Sequence, residues 1–220
     1  MPAYCEHPIT LASFEQIDRE MGHHHFTAEE YAIVRRVIHT TADFEFSQLL
    51  HFRQQPFDAA IAAFRQDLPI VTDVSMVAAG IQSVVARTWH SSVEVAVQRT
   101  PRRPFASSHT SPAQTSRDQP INTRSASGMR QCAHDYPSAI FAVGNAPTAL
   151  LALCEAIARG DCQPTLVIGA PVGFINVVES KQALGELAVP HILVAGRKGG
   201  SAVAAAILNA LMIGSWERSP

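Results

Sequence analysis

The chain has 220 residues, of which 47% are hydrophobic and 16% charged, with 17 Lys and Arg against 19 Asp and Glu. That length supports one sizeable core, and the composition excludes a disordered, highly charged polymer. A formal charge of -2 provides no global field for nucleic acid or an anionic membrane, so any anion site must be local.

Leu11, Phe14, Ile17 and Met21 recur at helical spacing and predict an amphipathic helix over residues 10–21. His23, His24 and His25 end it and read as solvated surface. Thr27 and Glu30 have capping-box spacing, in which hydroxyl and carboxylate satisfy each other's backbone donors; they start a second helix running to about residue 40. A third helix is expected over residues 57–66, between Pro56 and Pro69. Five short apolar runs follow, at 68–72, 93–98, 139–143, 165–168 and 191–195, each bounded by turn residues as buried parallel strands are. Helical segments at 148–159, 177–187 and 201–212 lie between or after them. The chain therefore reads as one α/β domain over residues 1–220: a doubly wound, mainly parallel five-stranded sheet flanked by helices, with further helices N-terminal to it. Residues 100–120, rich in Pro, Ser, Thr and Arg without apolar periodicity, predict a mobile loop.

The opening MPAYCEHPIT lacks a basic segment followed by an apolar run, and the longest apolar stretches are too short for a membrane span. Cys5, Cys132, Cys154 and Cys162 form no C-x-x-C pair and read as reduced thiols, so a cytoplasmic protein is expected.

Ligands of doubly wound sheets sit beyond the carboxyl ends of the strands. There the chain reads Asp73-Val74-Ser75-Met76, Gly144-Asn145-Ala146-Pro147-Thr148, Gly169-Ala170-Pro171-Val172-Gly173-Phe174 and Gly196-Arg197-Lys198-Gly199-Gly200-Ser201. Glycine lets the backbone approach a ligand and leaves helix N-terminal amides pointing at it. Asn145, Thr148, Arg197, Lys198 and Ser201 add groups able to bind several carboxylates or phosphates. Any one loop is equally an ordinary β-to-α turn; four together point to a large anionic ligand. Neither G-x-x-x-x-G-K-[ST] nor G-x-G-x-x-G occurs, and no G-x-S-x-G elbow presents a nucleophile, so NTPase, dinucleotide and triad-hydrolase chemistry lack support. His39 falls near a predicted helix C-terminus, where the dipole favours a protonated imidazole as a general acid requires, although position alone better fits an ordinary helix-end histidine. Arg124 fits a carboxylate clamp and a surface ion pair equally well. The histidines show no metal-ligand spacing, so no metal site is expected.

Several separate motifs carry a resemblance. They are Ser13-Phe14 with Ile17, Val37-Ile38-His39, the run from Asp73-Val74-Ser75-Met76 to Ile81, Asn122-Thr123-Arg124-Ser125-Ala126, Gly144-Asn145-Ala146-Pro147-Thr148, Gly169-Ala170-Pro171-Val172-Gly173-Phe174 with Glu179-Ser180-Lys181, and Gly196-Arg197-Lys198-Gly199-Gly200-Ser201. In this order and spacing the chain resembles the precorrin-8X methylmutase (precorrin isomerase) family from about residue 7 to residue 211. The resemblance implies a flavodoxin-like fold and a homodimer with active sites near the subunit interface. It implies an isomerase of cobalamin biosynthesis that moves a methyl group from C-11 to C-12 of precorrin-8X, or its cobalt form, to give hydrogenobyrinate or cobyrinate, without a redox or metal cofactor. His39 matches the family's catalytic histidine, held to protonate a ring nitrogen; Ser13 and Arg124 match substrate contacts. Asn145, Thr148, Gly173, Arg197, Lys198, Gly199, Gly200 and Ser201 fall in loops that match the macrocycle cradle. A methyl shift between neighbouring ring carbons needs no nucleophile or electron carrier, and general-acid help contributes about 10²- to 10⁴-fold. Two other readings use the same loops: a tetrapyrrole-binding carrier or sensor without turnover, and an anion-binding enzyme acting on a phosphorylated metabolite.

The composition of residues 100–120 implies little buried surface, so deleting residues 107–116 is expected to leave the melting temperature nearly unchanged. Loss of cooperative thermal unfolding in the deletion variant would show that the segment packs as structure.

Overall fold

The computed structural model describes residues 4–101 and 123–218. Two helices open the chain, α1 (Pro8–Met21) and α2 (Ala28–Thr41). The capping box forms as the sequence predicts: Glu30 N–H donates to Thr27 Oγ1 at 3.2 Å, and Thr27 N–H donates to Glu30 Oε2 at 2.9 Å. His24 is not merely solvated, since its ring stacks on Tyr31 with centroids 3.9 Å apart; a planar, apolar-faced ring beside a phenol is more stable stacked than in water. Residues 102–122, which hold most of the predicted 100–120 loop, lie outside the described residues.

After α2 come α3 (Phe46–Leu49), β1 (Leu50–Arg53), α4 (Pro56–Arg65), β2 (Ile70–Thr72), α5 (Ser75–Arg87) and β3 (Val93–Val95), which leads into a short 3-10 turn at Ala96–Gln98. The rest alternates: α6 (Arg124–Asp135), β4 (Ile140–Val143), α7 (Pro147–Ala158), β5 (Leu166–Gly169), α8 (Val177–Gly185), β6 (His191–Val194) and α9 (Ser201–Glu217). The sheet has six strands in the order β1-β6-β5-β4-β2-β3, one more than the sequence predicts. The five expected strands are all parallel and, numbered among themselves, run 2-1-3-4-5, the flavodoxin-like order. The sixth, β1, pairs antiparallel with β6 through Leu50↔Val194 and Arg53↔His191 and forms an edge.

Strand alternation divides the inward side chains between two cores. Ile70, Ile140, Ala142, Leu166, Ile168, Ile192 and Val194 pack with α2, α4, α5 and α9 on one face. Val71, Phe141, Val143, Val167 and, half-buried, Leu193 pack with α6, α7 and α8 on the other. Each large side chain so buried contributes roughly 1.5–3 kcal/mol. α9 is apolar on nearly every side because α2, α4 and α5 surround it. Its first residue, Ser201, thereby sits at the carboxyl end of the sheet.

Cys132, Cys154 and Cys162 are buried, and burial pushes their thiols up to about 11, 12 and 11, whereas Cys5 is exposed. In native protein at mildly alkaline pH, an aromatic disulfide reagent is expected to modify Cys5 rapidly and the other three only after denaturation. Rapid modification of several thiols without denaturant would contradict this packing.

Candidate active site

The strand order reverses between β2 and β4, and the crevice at such a switch point is where these sheets hold ligands. Asp73 follows β2 there and is fully buried. Its Oδ1 accepts the Gly144 N–H at 3.0 Å, and its Oδ2 accepts those of Asn145 and Ala146 at 2.8 and 2.7 Å. Every one of these contacts is a donor, so the carboxylate satisfies the amides of the turn that joins β4 to α7. Burial pushes the Asp73 pKa up, while these amides and that of Val74 oppose the shift. The same residue's carbonyl accepts Val97 N–H at 3.2 Å, which ties the exit of β3 to the switch point.

The loops after β5 and β6 interlock. Gly173 N–H donates to Arg197 O at 3.3 Å, and Gly200 N–H donates to Ala170 O at 2.8 Å. A Cβ at Gly199 would lie 2.3 Å from Ala170 O, at a φ of 152°, so only glycine permits this approach. Gly144 serves the third loop similarly, because a Cβ there would come within 2.8 Å of Ser201 Cα.

Topology carries His39 to the same end. β1 enters the sheet beside the carboxyl end of β6, so the preceding end of α2 lies there too. Lys198 Nζ donates to Asp43 Oδ2 at 2.5 Å and to Glu45 Oε2 at 2.7 Å, joining the β6–α9 loop to the segment just past His39. These carboxylates raise the Lys198 pKa, and the ammonium lowers that of Asp43. Lys198 thus has two protein carboxylates as partners, with which a substrate carboxylate would compete. His39 is exposed in the last turn of α2, with its ring edge-on to Phe14 at 5.4 Å. Half-buried Ser13 precedes Phe14 in α1, and the Arg35 guanidinium lies 4.5 Å from the Phe14 ring centroid.

Arg124 begins α6, and its Nη2 donates at 2.9 Å to both Val97 O and Thr100 O; its buried Nε has no hydrogen-bond partner among the described residues. The Thr148 hydroxyl bonds to Thr123 Oγ1 at 2.7 Å, so the start of α6 adjoins the α7 loop, while the Asn145 side chain is exposed. The Arg197 guanidinium lies 5.6 Å from the ring of Phe174. Phe174 and Ile175 are 81% and 77% exposed, and Met76 after β2 is 71% exposed, which makes the rim of this end unusually apolar.

Sequence reasoning passed over Asp73, Asp43 and Lys181 as site residues. An acid directly after a buried apolar strand is one usable signal, since burial demands donors. Another is a lysine at an apolar phase of a helix: Val177, Lys181 and Leu184 share the buried side of α8. No sequence spacing announces the pairing of Asp43 with Lys198.

The family model for precorrin-8X methylmutase matches residues 8–213. The chain belongs to the precorrin-8X methylmutase family. It is 47% identical to the cobalt-precorrin-8 methylmutase of Synechocystis sp. over 96% of this chain and 97% of that one. It is 34% identical to the precorrin-8X methylmutase of Sinorhizobium sp. over 90% of each. Among solved structures, the precorrin-8x methyl mutase of Thermus thermophilus superposes with a TM-score of 0.80 at 36% identity, covering 95% of this chain and 96% of that chain.

Replacing Asp73 by Asn turns an amide NH₂ toward N–H donors on one side or the other. Asp73→Asn is expected to lower stability by about 1–3 kcal/mol, the usual cost of leaving buried groups unpaired, read as a lower urea midpoint. An unchanged midpoint would show that the carboxylate does not hold the turn.

Proposed function

We propose that the protein is an isomerase of cobalamin biosynthesis that moves a methyl group from C-11 to C-12 of precorrin-8X, or its cobalt form, with His39 as the proton donor. Family membership over residues 8–213 supports the reaction. The observation that supports this end of the molecule as its site is the arrangement of motif loops from β2, β4, β5 and β6, interlocked with one another and tied through Lys198 to the end of α2.

A corrinoid precursor is a flat conjugated ring edged with carboxylates. The exposed apolar groups Met76, Phe174 and Ile175 suit its faces, while Arg197 and the first-turn amides of α9 suit its edges. Ser13 and Arg124 belong to the same proposed contact set, together with Asn145, Thr148, Gly173, Lys198, Gly199, Gly200 and Ser201. His39 would place a proton on a ring nitrogen, altering the electron demand of the conjugated system and easing the migration; no residue need form a covalent bond to the ring. Cobalt, where present, belongs to the substrate. The apolar rim also supports a homodimer, which removes such a surface from water. No helix among the described residues is long and apolar enough to cross a membrane.

His39→Ala is expected to retain the ring and lose turnover. Transition-state stabilisation should fall by about 3–6 kcal/mol if protonation supplies 10²- to 10⁴-fold. The assay is the visible spectral change from substrate to hydrogenobyrinate in a single turnover. A wild-type rate in the variant would remove His39 as the acid; wild-type protein that binds substrate without converting it would favour the carrier reading.

A further inference from the structure

Lys181 is 3% exposed, although a lysine is rarely taken fully out of water. It projects from the buried side of α8, and its Nζ donates to Gly196 O at 2.8 Å and to Lys198 O at 2.7 Å. An ammonium carries three donors and no acceptor, so one nitrogen can bridge two carbonyls of the same turn. Between them, Arg197 O accepts the Gly173 N–H. Three successive carbonyls of the β6–α9 loop are thus held by donors from the protein. What the turn has left to offer an incoming anion is N–H: the first backbone bond of α9 recorded there is Ala204 N–H to Gly200 O, and the earlier amides of a helix have no partner within it.

We propose that Lys181 is a positioning residue of the substrate cradle, whose buried ammonium holds the Gly196 and Lys198 carbonyls away from the ligand and places positive charge beneath the turn that receives a substrate carboxylate. The proposal rests on the corrinoid reading above. Lys181 touches no reacting atom in this account and acts through the turn.

The surroundings favour the charge's role in binding ligand over one in stability. Lys181 lines a cleft with His51 and Arg53 of β1, His191 of β6, and Gln182 of its own helix, and no carboxylate lines that cleft among the described residues. Lys198, on the turn itself, directs its ammonium to Asp43 and Glu45. Among the described residues no counter-charge offsets the desolvation of Lys181, and burial lowers its pKa to about 8. An unfolded lysine keeps its proton to about 10.4, so between these values the unfolded chain holds more protons, and stability contributed by this group rises with pH. Substrate affinity moves the other way, because the charge beneath the cradle is lost as pH rises through about 8.

The test is titration of wild type and Lys181→Met with hydrogenobyrinate, followed by its visible spectrum from about pH 7 to about 9.5, with circular dichroism to confirm folding. Wild-type affinity should weaken as pH rises through about 8. Lys181→Met should bind about tenfold or more weakly at neutral pH, without that pH dependence, while the rate of methyl transfer at saturating substrate changes far less. Wild-type affinity in a folded Lys181→Met, or a maximal rate that falls while affinity holds, overturns the proposal. If Lys181→Met does not fold, the wild-type profile decides: affinity independent of pH across that range overturns it, and weakening centred near 8 supports it. Wild-type protein that fails to bind hydrogenobyrinate at any pH refutes the corrinoid reading instead.

Discussion

A carboxylate buried at the head of a strand must meet donors, and Asp73 meets them in the three amides that turn β4 into α7. This contact crosses the switch point of the sheet, where two neighbouring strands send their connections to opposite faces and leave a crevice. Without it, the Gly144–Ala146 turn that leads into α7 would have to find other acceptors. The position of Gly144 then governs how closely Ser201 and the start of α9 can approach. Asp73 contributes no obvious chemistry, yet the loops that would meet a ligand take their places from it.

The same logic recurs around the cradle. The β5 and β6 loops exchange backbone bonds, Lys181 collects two carbonyls from within, and Lys198 reaches outward to Asp43 and Glu45. The second lysine ties the β6–α9 loop to residues just beyond the helix end that carries His39, the proposed proton donor. Removing that tie would loosen the end of α2 relative to the β6–α9 loop.

Much of this was legible in the sequence, for reasons that also explain what was missed. β2, β4, β5 and β6 lie inside the sheet, largely buried on both faces, and so appear as mostly apolar runs, while β3 is a half-buried edge strand that carries Glu94. β1 escaped notice because Leu50, His51, Phe52 and Arg53 alternate at a half-exposed edge, in a run of only four residues. α5 was also passed over, although Val77, Ile81 and Val84 have helical spacing, because Asp73-Val74-Ser75-Met76 drew attention as a strand-end loop. The loop glycines were visible by type and position, whereas His39 stood out only through the family resemblance. The partners that give Lys198 and Lys181 their roles lie far along the chain or on the main chain, where spacing carries no signal. Lys198, which the loop pattern offers as a substrate contact, also grips the two protein carboxylates Asp43 and Glu45, and a substrate carboxylate would share or displace them.

The proposed chemistry depends most on where the ring binds, and a crystal structure of the protein soaked with hydrogenobyrinate addresses that directly. The macrocycle should lie across the Gly144–Thr148, Gly169–Phe174 and Gly196–Ser201 loops, with a ring nitrogen within hydrogen-bond reach of His39. A ring lodged elsewhere, such as the groove beside Thr27, Phe52, Pro56 and Phe57 between α2 and α4, or one bound at the cradle with no polar ring atom near His39, would contradict it.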